Sequence, residues 1–298
     1  MMGCWIGSAS VRSYLTKRYY TVRHQGTEFM RWVSVPQRLV LGPLLFVLYT
    51  ADIGRIAGKH GVNAHFYADD LQLYMSAKPQ HTDDVTAQLM GCMEATGQWM
   101  ASNRLKLNPV KTDLLWCATQ WRQHQLNRNS VGFGGATVQP SSTVRDLGFI
   151  LDSEMSFGPY INQLVSWCFY QLGCIKACVN ALPMDVVKIA VNSFVVSHID
   201  YCNCLLAGAP RYQLNKLQAV MNSARWLVCG RNKFDYISCV LCDRLHWLPV
   251  EQRIQYKLCL MVDPMKICRR DQSMFWPPIM SLSFIQSCYW ITLQVSHP

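Results

Sequence analysis

Two adjacent carboxylates, Asp69 and Asp70, are the residues of this sequence best suited to chemistry. They lie between two short segments of alternating apolar and polar residues, 63–67 and 71–75, a pattern that predicts a β-hairpin. Two like charges side by side cannot be buried in a core without a cation. Carboxylates at such a corner suit Mg²⁺, and two ions about 4 Å apart can activate an attacking hydroxyl and stabilise a leaving phosphate oxygen. An ordinary acidic turn is the competing interpretation.

The elements around this hairpin are predicted from turn residues and from the periodicity of apolar residues. A helix is predicted to open at Gly42-Pro43 and to end near Gly58, since proline is tolerated in a first helical turn and glycine favours a helix end. A second helix is predicted to begin with Thr82 as its N-cap. Further strands are predicted at 114–117, 131–138 and 144–151, and helices at 158–180, 184–198, 211–229 and 249–262.

The composition limits the class of protein and the kind of partner. Half of the 298 residues are hydrophobic, so a sizeable core can form and a disordered chain is excluded. The formal net charge of +10 favours a polyanionic partner, either nucleic acid or an anionic membrane surface. The 14 cysteines follow no disulfide-module spacing and no signal peptide precedes them, which predicts free thiols and an intracellular location in the cytoplasm or nucleus.

Five sequence blocks follow one another along residues 13–262. They are Val35–Phe46 (VPQRLVLGPLLF), Phe66–Asp70 (FYADD), Leu105–Thr112 (LKLNPVKT), Val144–Asp152 (VRDLGFILD) and Leu245–Leu258 (LHWLPVEQRIQYKL). The first resembles the motif V-P-Q-G-S-x-L-G-P-L-L-F, and the second resembles the Y-x-D-D box. In this order the blocks resemble the reverse transcriptases of non-LTR retrotransposons of the LINE type, which include the jockey-like elements.

The resemblance implies a fold and a division of the chain. The fold class is α+β, a partial right-hand polymerase with a ferredoxin-like palm followed by an α-helical thumb. Residues 1–34 would be the remnant of a fingers or palm arm, 35–155 the palm, 156–262 the helical thumb and downstream region, and 263–298 a divergent apolar tail.

The resemblance also implies the reaction, which is RNA-directed DNA synthesis with two Mg²⁺ ions and no small-molecule cofactor. The partners would be an RNA template, a DNA primer and deoxynucleoside triphosphates. Asp69 would ligate the metal with Asp70 as its supporting partner, and Lys111 would approach the triphosphate. A solvated cation at a strand edge is the competing interpretation of Lys111. Substrate or template contacts would come from Pro36, Gln37 and Tyr67, the last near the primer end.

The match fails at two places. The family takes another metal-binding aspartate from an earlier palm strand, whereas the only acidic residue before Val35 is Glu28, outside any such pattern. Arg38-Leu39 stand where the family has Gly-Ser, and an arginine would crowd space that glycine leaves for substrate. The sequence therefore predicts an amino-terminally truncated, inactive reverse transcriptase with impaired Mg²⁺ binding. The lost strand is expected to leave an unpaired palm edge and to make the protein poorly soluble.

A non-catalytic nucleic-acid-binding remnant is the alternative function. Basic residues interleaved with aromatic ones at 12–24 could follow a nucleic-acid backbone. A second basic set, equally consistent with a solvated helix face, consists of Lys216, Arg225, Arg231 and Lys233.

Two weaker interpretations are set aside. A tail anchor at 274–296 is disfavoured, because serines and glutamines dilute the apolar stretch and membrane insertion needs about 20 mostly apolar residues. A zinc site at Cys239, Cys242 and His246 is disfavoured, because the spacing to the histidine is one residue short of a zinc knuckle.

Overall fold

The structure, a computed structural model, describes residues 19–24, 27–32, 42–126, 129–133, 136–230, 247–267 and 288–296. Helices and strands are mixed, as the sequence predicts. The strands are β1 (Tyr19–His24), β2 (Thr27–Trp32), β3 (Asn63–Tyr67), β4 (Asp70–Ser76), β5 (Lys106–Leu107), β6 (Asp113–Cys117), β7 (Val131–Phe133), β8 (Ala136–Val138), β9 (Pro140–Ser141), β10 (Thr143–Asp146), β11 (Phe149–Asp152) and β12 (Cys288–Ser296). The helices are α1 (Gly42–Lys59), α2 (Thr82–Ser102), α3 (Gly158–Cys178), α4 (Met184–Val191), α5 (Ser197–Asp200), α6 (Arg211–Cys229) and α7 (Val250–Ile267).

The main sheet has the strand order β3-β4-β12-β6-β9, and β5 pairs with the end of β12. β3 and β4 form an antiparallel hairpin, and β12 is antiparallel to both β4 and β6. β4 and β6 therefore run in the same direction. They are joined through the long helix α2, and the space of one strand that lies between them is filled by β12.

The prediction of an unpaired palm edge is wrong for the sheet that the structure describes. β12 comes from the segment 263–298, which the sequence analysis treats as a divergent tail, and it occupies the middle of the sheet. The reason is topological, because a crossover that skips one position leaves the gap inside the sheet. The argument for poor solubility from an unpaired edge at this position thereby loses its structural basis, and the solubility itself stays a prediction.

The sheet separates two apolar layers. Leu71 and Leu73 of β4 pack on the side of α1 and α2, whereas Tyr74 belongs to the cluster on the opposite side. β6 alternates in the same way, with Leu114 in the first cluster and Leu115 in the second. The second cluster also contains buried residues of β10, β11, α3, α4, α6 and α7. Both faces are thus covered over these strands, which explains their nearly continuous apolar sequence.

Two predicted strands are hairpins. Segment 131–138 divides into β7 and β8, and segment 144–151 divides into β10 and β11. In the second hairpin the turn residues Leu147 and Gly148 both have positive φ angles, 46° and 85°. A two-residue turn of that kind matches the twist of the flanking strands and reverses the chain.

The helical predictions are confirmed with shifted ends. Thr82 is the first residue of α2 rather than its cap, and His81 at the N-cap position makes no side-chain capping bond. The predicted helix 184–198 comprises α4, a π-helical turn at Asn192–Val196, and α5. α3 starts where Asp152, at the end of β11, accepts hydrogen bonds from the backbone N–H groups of Ser156 and Phe157, at 2.9 and 2.7 Å.

Across the described ranges, no helix has the length and apolarity that crossing a membrane requires.

Candidate active site

The β3–β4 turn presents the two carboxylates at one end of the main sheet. Tyr67 and Asp70 are Cα partners, so Ala68 and Asp69 are the two residues of the turn. Ala68 has a φ of 53°, in the left-handed region that alanine rarely adopts. Asp69 is exposed at the tip of the hairpin, whereas Asp70 is half-buried at the start of β4. The predicted acidic hairpin turn is therefore present.

A buried polar contact lies next to this turn. Gln72 is 3% exposed, and its side-chain Nε2 donates to both carboxylate oxygens of Asp146, at 2.7 and 2.8 Å. Burial raises the pKa of Asp146, and the negative charge of Asp70 raises it further. The hydrogen bond from Gln72 and the nearby His65 act in the opposite direction. Asp146 is thus electrostatically coupled to the acidic turn, although its carboxylate is engaged by an amide.

Lys111 lies at the same end of the sheet as the acidic turn. It is the last residue of the 3₁₀ turn Pro109–Lys111 and is exposed, two residues before β6 begins at Asp113. β4 and β6 begin at this end and are separated by β12, so the two strands are about 10 Å apart. The ammonium group can therefore face a ligand at the turn, but it can equally remain a solvated cation.

The remaining predicted site residues divide into two groups. Tyr67 is 60% exposed beside the turn, where it can meet a ligand. Pro36 and Gln37, and the neighbouring Arg38 and Leu39, lie outside the described residues. The residues of the disfavoured zinc site, Cys239, Cys242 and His246, lie outside them as well.

The expectation that basic residues of the second set lie on a nucleic-acid-binding face is wrong for one of them. Arg225 is 5% exposed on the core side of α6, and its Nη1 donates to Asn222 Oδ1 at 3.0 Å. A guanidinium in that place cannot reach a phosphate backbone. Lys216 donates from Nζ to Asn162 Oδ1 at 2.7 Å, and Arg231 and Lys233 lie outside the described residues.

Sequence reasoning did not find the contact between Gln72 and Asp146. Asp146 belongs to the quoted block 144–152, but no residue was assigned to it as a partner. The available signal is Gln72 itself, a polar residue between Leu71 and Leu73 in a strand that is otherwise apolar. A buried amide of this kind needs a hydrogen-bond partner.

The described residues do not fit a two-ion metal centre. In the ranges that the structure describes, no three histidine, cysteine, aspartate or glutamate side chains are grouped so that they could hold a metal ion. The strand beside Asp70 is β12, whose sequence CYWITLQVS has no acidic residue. The Cα partner of Asp70 in β12 is Gln294. Among the described residues, Asp69 and Asp70 therefore have no further carboxylate grouped with them that would bridge two ions.

Comparison with known proteins agrees with the sequence blocks. Residues 5–151 match the family described as reverse transcriptase (RNA-dependent DNA polymerase). The probable RNA-directed DNA polymerase from transposon BS of Drosophila melanogaster is 26% identical over 225 residues, which cover 72% of this chain and 24% of that protein. The chain thus spans about a quarter of that relative's length. No solved structure matches the chain. Through residues 5–151 this chain is similar to the reverse transcriptase family, and over 225 residues it is similar to a transposon polymerase.

Proposed function

We propose that this polypeptide is a transposon reverse transcriptase domain that holds a template–primer duplex without extending it. The observation that carries the proposal is the pairing of Asp70 with Gln294, which leaves the acidic turn without an acidic neighbour in β12. The duplex would consist of an RNA template and a DNA primer. Deoxynucleoside triphosphates would be the substrates of the intact enzyme rather than of this chain.

The assignment of palm and thumb is part of the proposal. The hairpin β3–β4, the crossover helix α2 and strand β6 give the alternation of a ferredoxin-like sheet with its middle strand supplied from elsewhere. This supports a palm over residues 35–155. Helices α3, α4, α6 and α7 follow β11 and share one apolar cluster with β10, β11 and the second face of the sheet, and their helical character supports a thumb over residues 156–262.

The absence of extension follows from the chemistry of the carboxylates. In the family, divalent ions supply the activation of the primer hydroxyl and the stabilisation of the leaving phosphate. Mg²⁺ demands near-ideal octahedral geometry from oxygen ligands, so one adjacent pair at an exposed turn holds it weakly. Asp146 does not complete the set, because Gln72 engages both of its carboxylate oxygens.

Duplex binding is supported by charge near the acidic turn. Arg104, Lys106 and Lys111 are exposed within one stretch, and no acidic residue lies between positions 103 and 112. This stretch includes β5, which pairs with the end of β12 beside the turn. Three exposed cations on one short segment can follow a phosphate backbone, and the net charge of +10 acts in the same direction.

An intracellular location is part of the proposal as well. Nine of the ten cysteines in the described ranges are free thiols, four of them buried. Buried free thiols are typical of a reducing compartment.

Binding and extension are tested on one labelled RNA–DNA hybrid. Fluorescence anisotropy at several salt concentrations should give an affinity that falls linearly with the logarithm of salt. The triple variant Arg104→Gln, Lys106→Gln, Lys111→Gln should reduce that slope by about two to three, whereas Lys176→Gln on α3 is the matched control and should leave it unchanged. A hybrid that does not bind at all contradicts the proposal.

Primer extension with Mg²⁺ is measured on the same hybrid, and we expect none. Extension that disappears in the variant Asp69→Asn would show an active polymerase and would overturn the proposed loss of activity.

A further inference from the structure

We propose that β12 is an internal replacement for the central strand of the sheet, and that its position 294 is where a metal-binding carboxylate must stand. The proposal deepens the proposed function and rests on it. It assigns a role to a segment that the sequence alone presents as a tail. It also identifies one residue, Gln294, as the reason that the acidic turn does not hold metal.

The first step is the requirement for a strand between β4 and β6. Residues 71–74 and 114–117 are buried, so their backbone N–H and C=O groups need partners within the protein. β12 supplies these partners on both sides, pairing with seven residues of β4 and five of β6. It runs antiparallel to both neighbours. The slot is thus filled by one extended segment that pairs on both sides.

The second step is the register of that segment. Gln294 is the Cα partner of Asp70, and Thr292 is the Cα partner of both Gln72 and Asp113. The carboxyl end of β12 therefore lies beside the acidic turn. Residues directly opposite each other in an antiparallel pair share a face of the sheet. Position 294 is thus on the same face as Asp70.

The third step is the chemistry of that position. An amide oxygen binds divalent cations, but it brings no negative charge to balance two ions. Affinity for hard cations depends strongly on the number of charged ligands. A carboxylate at position 294 would stand opposite Asp70 and would add a third acidic residue to Asp69 and Asp70 at this end of the sheet. One substitution should therefore create a metal site in this polypeptide.

The same register supplies an independent probe of strand placement. Cys288 is the Cα partner of Cys117 in β6. Opposite residues in antiparallel strands have Cα atoms about 4.5–5.5 Å apart. A disulfide bond joins Cα atoms about 4.4–6.8 Å apart. Oxidation should therefore link these two residues only if β12 occupies the slot in this register.

The first experiment is oxidation of the full chain with diamide, followed by peptide mapping with mass spectrometry. We expect a Cys117–Cys288 disulfide within the monomer. The variant Cys288→Ser should lose it, whereas Cys168→Ser, which removes a buried thiol of the apolar cluster that contains Cys117, should keep it. If Cys288 remains unlinked, or is linked elsewhere, the replacement of the central strand is overturned.

The second experiment measures Mn²⁺ binding by electron paramagnetic resonance, with Mn²⁺ alone and no nucleic acid. Gln294→Asp should bind Mn²⁺ about tenfold or more tightly than the unsubstituted chain. Gln294→Asn, which has the same size as the aspartate variant but no charge, is the matched control and should not gain affinity. The gain should disappear when Asp69→Asn is added to Gln294→Asp.

The two experiments separate this inference from the proposed function. A disulfide without a gain in Mn²⁺ affinity overturns the assignment of position 294. A loss of hybrid binding would contradict the proposed function, while the disulfide and the Mn²⁺ site would still be observed.

Discussion

Gln72 of β4 donates its side-chain amide to both carboxylate oxygens of Asp146 in β10. The contact joins the main sheet to the β10–β11 hairpin. The hairpin is in turn held by the helical part, because the hydroxyl of Tyr201 donates to the backbone carbonyl of Leu147. Strand β4, which begins at the acidic turn, is thus connected to the helical part of the chain through two polar contacts, and the geometry of the candidate site depends on both.

The first prediction concerns Asp146 and pH. Burial raises the pKa of this carboxyl above its ordinary value of 3.8. The folded state therefore binds a proton more tightly than the unfolded state, and stability falls as pH rises from 3.8 to the raised pKa. Above the raised pKa the loss is constant. Asp146→Asn should remove this part of the pH dependence while keeping an oxygen that accepts from Gln72.

Urea unfolding from about pH 4 to about pH 8 measures this effect. Asp185→Asn, at an exposed position in the first turn of α4, is the control. If the free energy of unfolding changes with pH identically in the unsubstituted chain and in Asp146→Asn, burial does not control this carboxyl.

The second prediction concerns Asp152, which joins β11 to α3. Asp152 is 6% exposed, and its carboxylate accepts from two backbone N–H groups, those of Ser156 and Phe157. Asp152→Ala leaves both donors without this acceptor and should lower the free energy of unfolding by roughly 2–3 kcal/mol. Asp152→Asn keeps one acceptor oxygen and should cost less. Equal losses in the two variants would mean that the hydrogen bonds contribute little.

The local elements could be predicted from the sequence, because their signals are local. Alternation on either side of Asp69 and Asp70 predicted the hairpin, and prolines at 183, 210 and 249 marked the helix starts. The pattern at 144–151 alone predicts one strand, since leucine rarely adopts a positive φ, whereas the resemblance of residues 144–152 to the family's primer-grip hairpin implies the turn. The Gln72–Asp146 contact joins residues 74 positions apart, and periodicity gives no such pairings. β12 was missed for the same reason, because both of its partner strands are far away in the chain.

The third prediction tests the central position of β12 by backbone chemistry. Ile291 is the Cα partner of both Leu73 and Leu114. Proline there removes a backbone donor from the middle of a strand and should cost about 3 kcal/mol or more. Amide hydrogen exchange should accelerate in β4 and β6 together, while α6 stays protected. Ile291→Val keeps the strand geometry and serves as the control. Acceleration in only one of the two strands would show that β12 pairs on one side alone.

The last prediction concerns the backbone of the acidic turn. Ala68 has a φ of 53° and precedes Asp69, so the hairpin carries a left-handed residue with a Cβ atom. That conformation costs an L-residue roughly 1–2 kcal/mol, a cost that glycine does not have. Ala68→Gly should therefore raise the free energy of unfolding by about 1 kcal/mol, as measured by urea denaturation.

The matched inverse change is Gly148→Ala in the β10–β11 turn. Gly148 has a φ of 85°, and an added Cβ would lie 3.8 Å from the ring of Tyr201, an ordinary contact. Backbone strain alone should then lower stability, by an amount similar to the gain in Ala68→Gly. If Ala68→Gly is instead destabilising, the turn does not hold a left-handed residue before Asp69, and the exposure of that carboxylate at the tip has another origin.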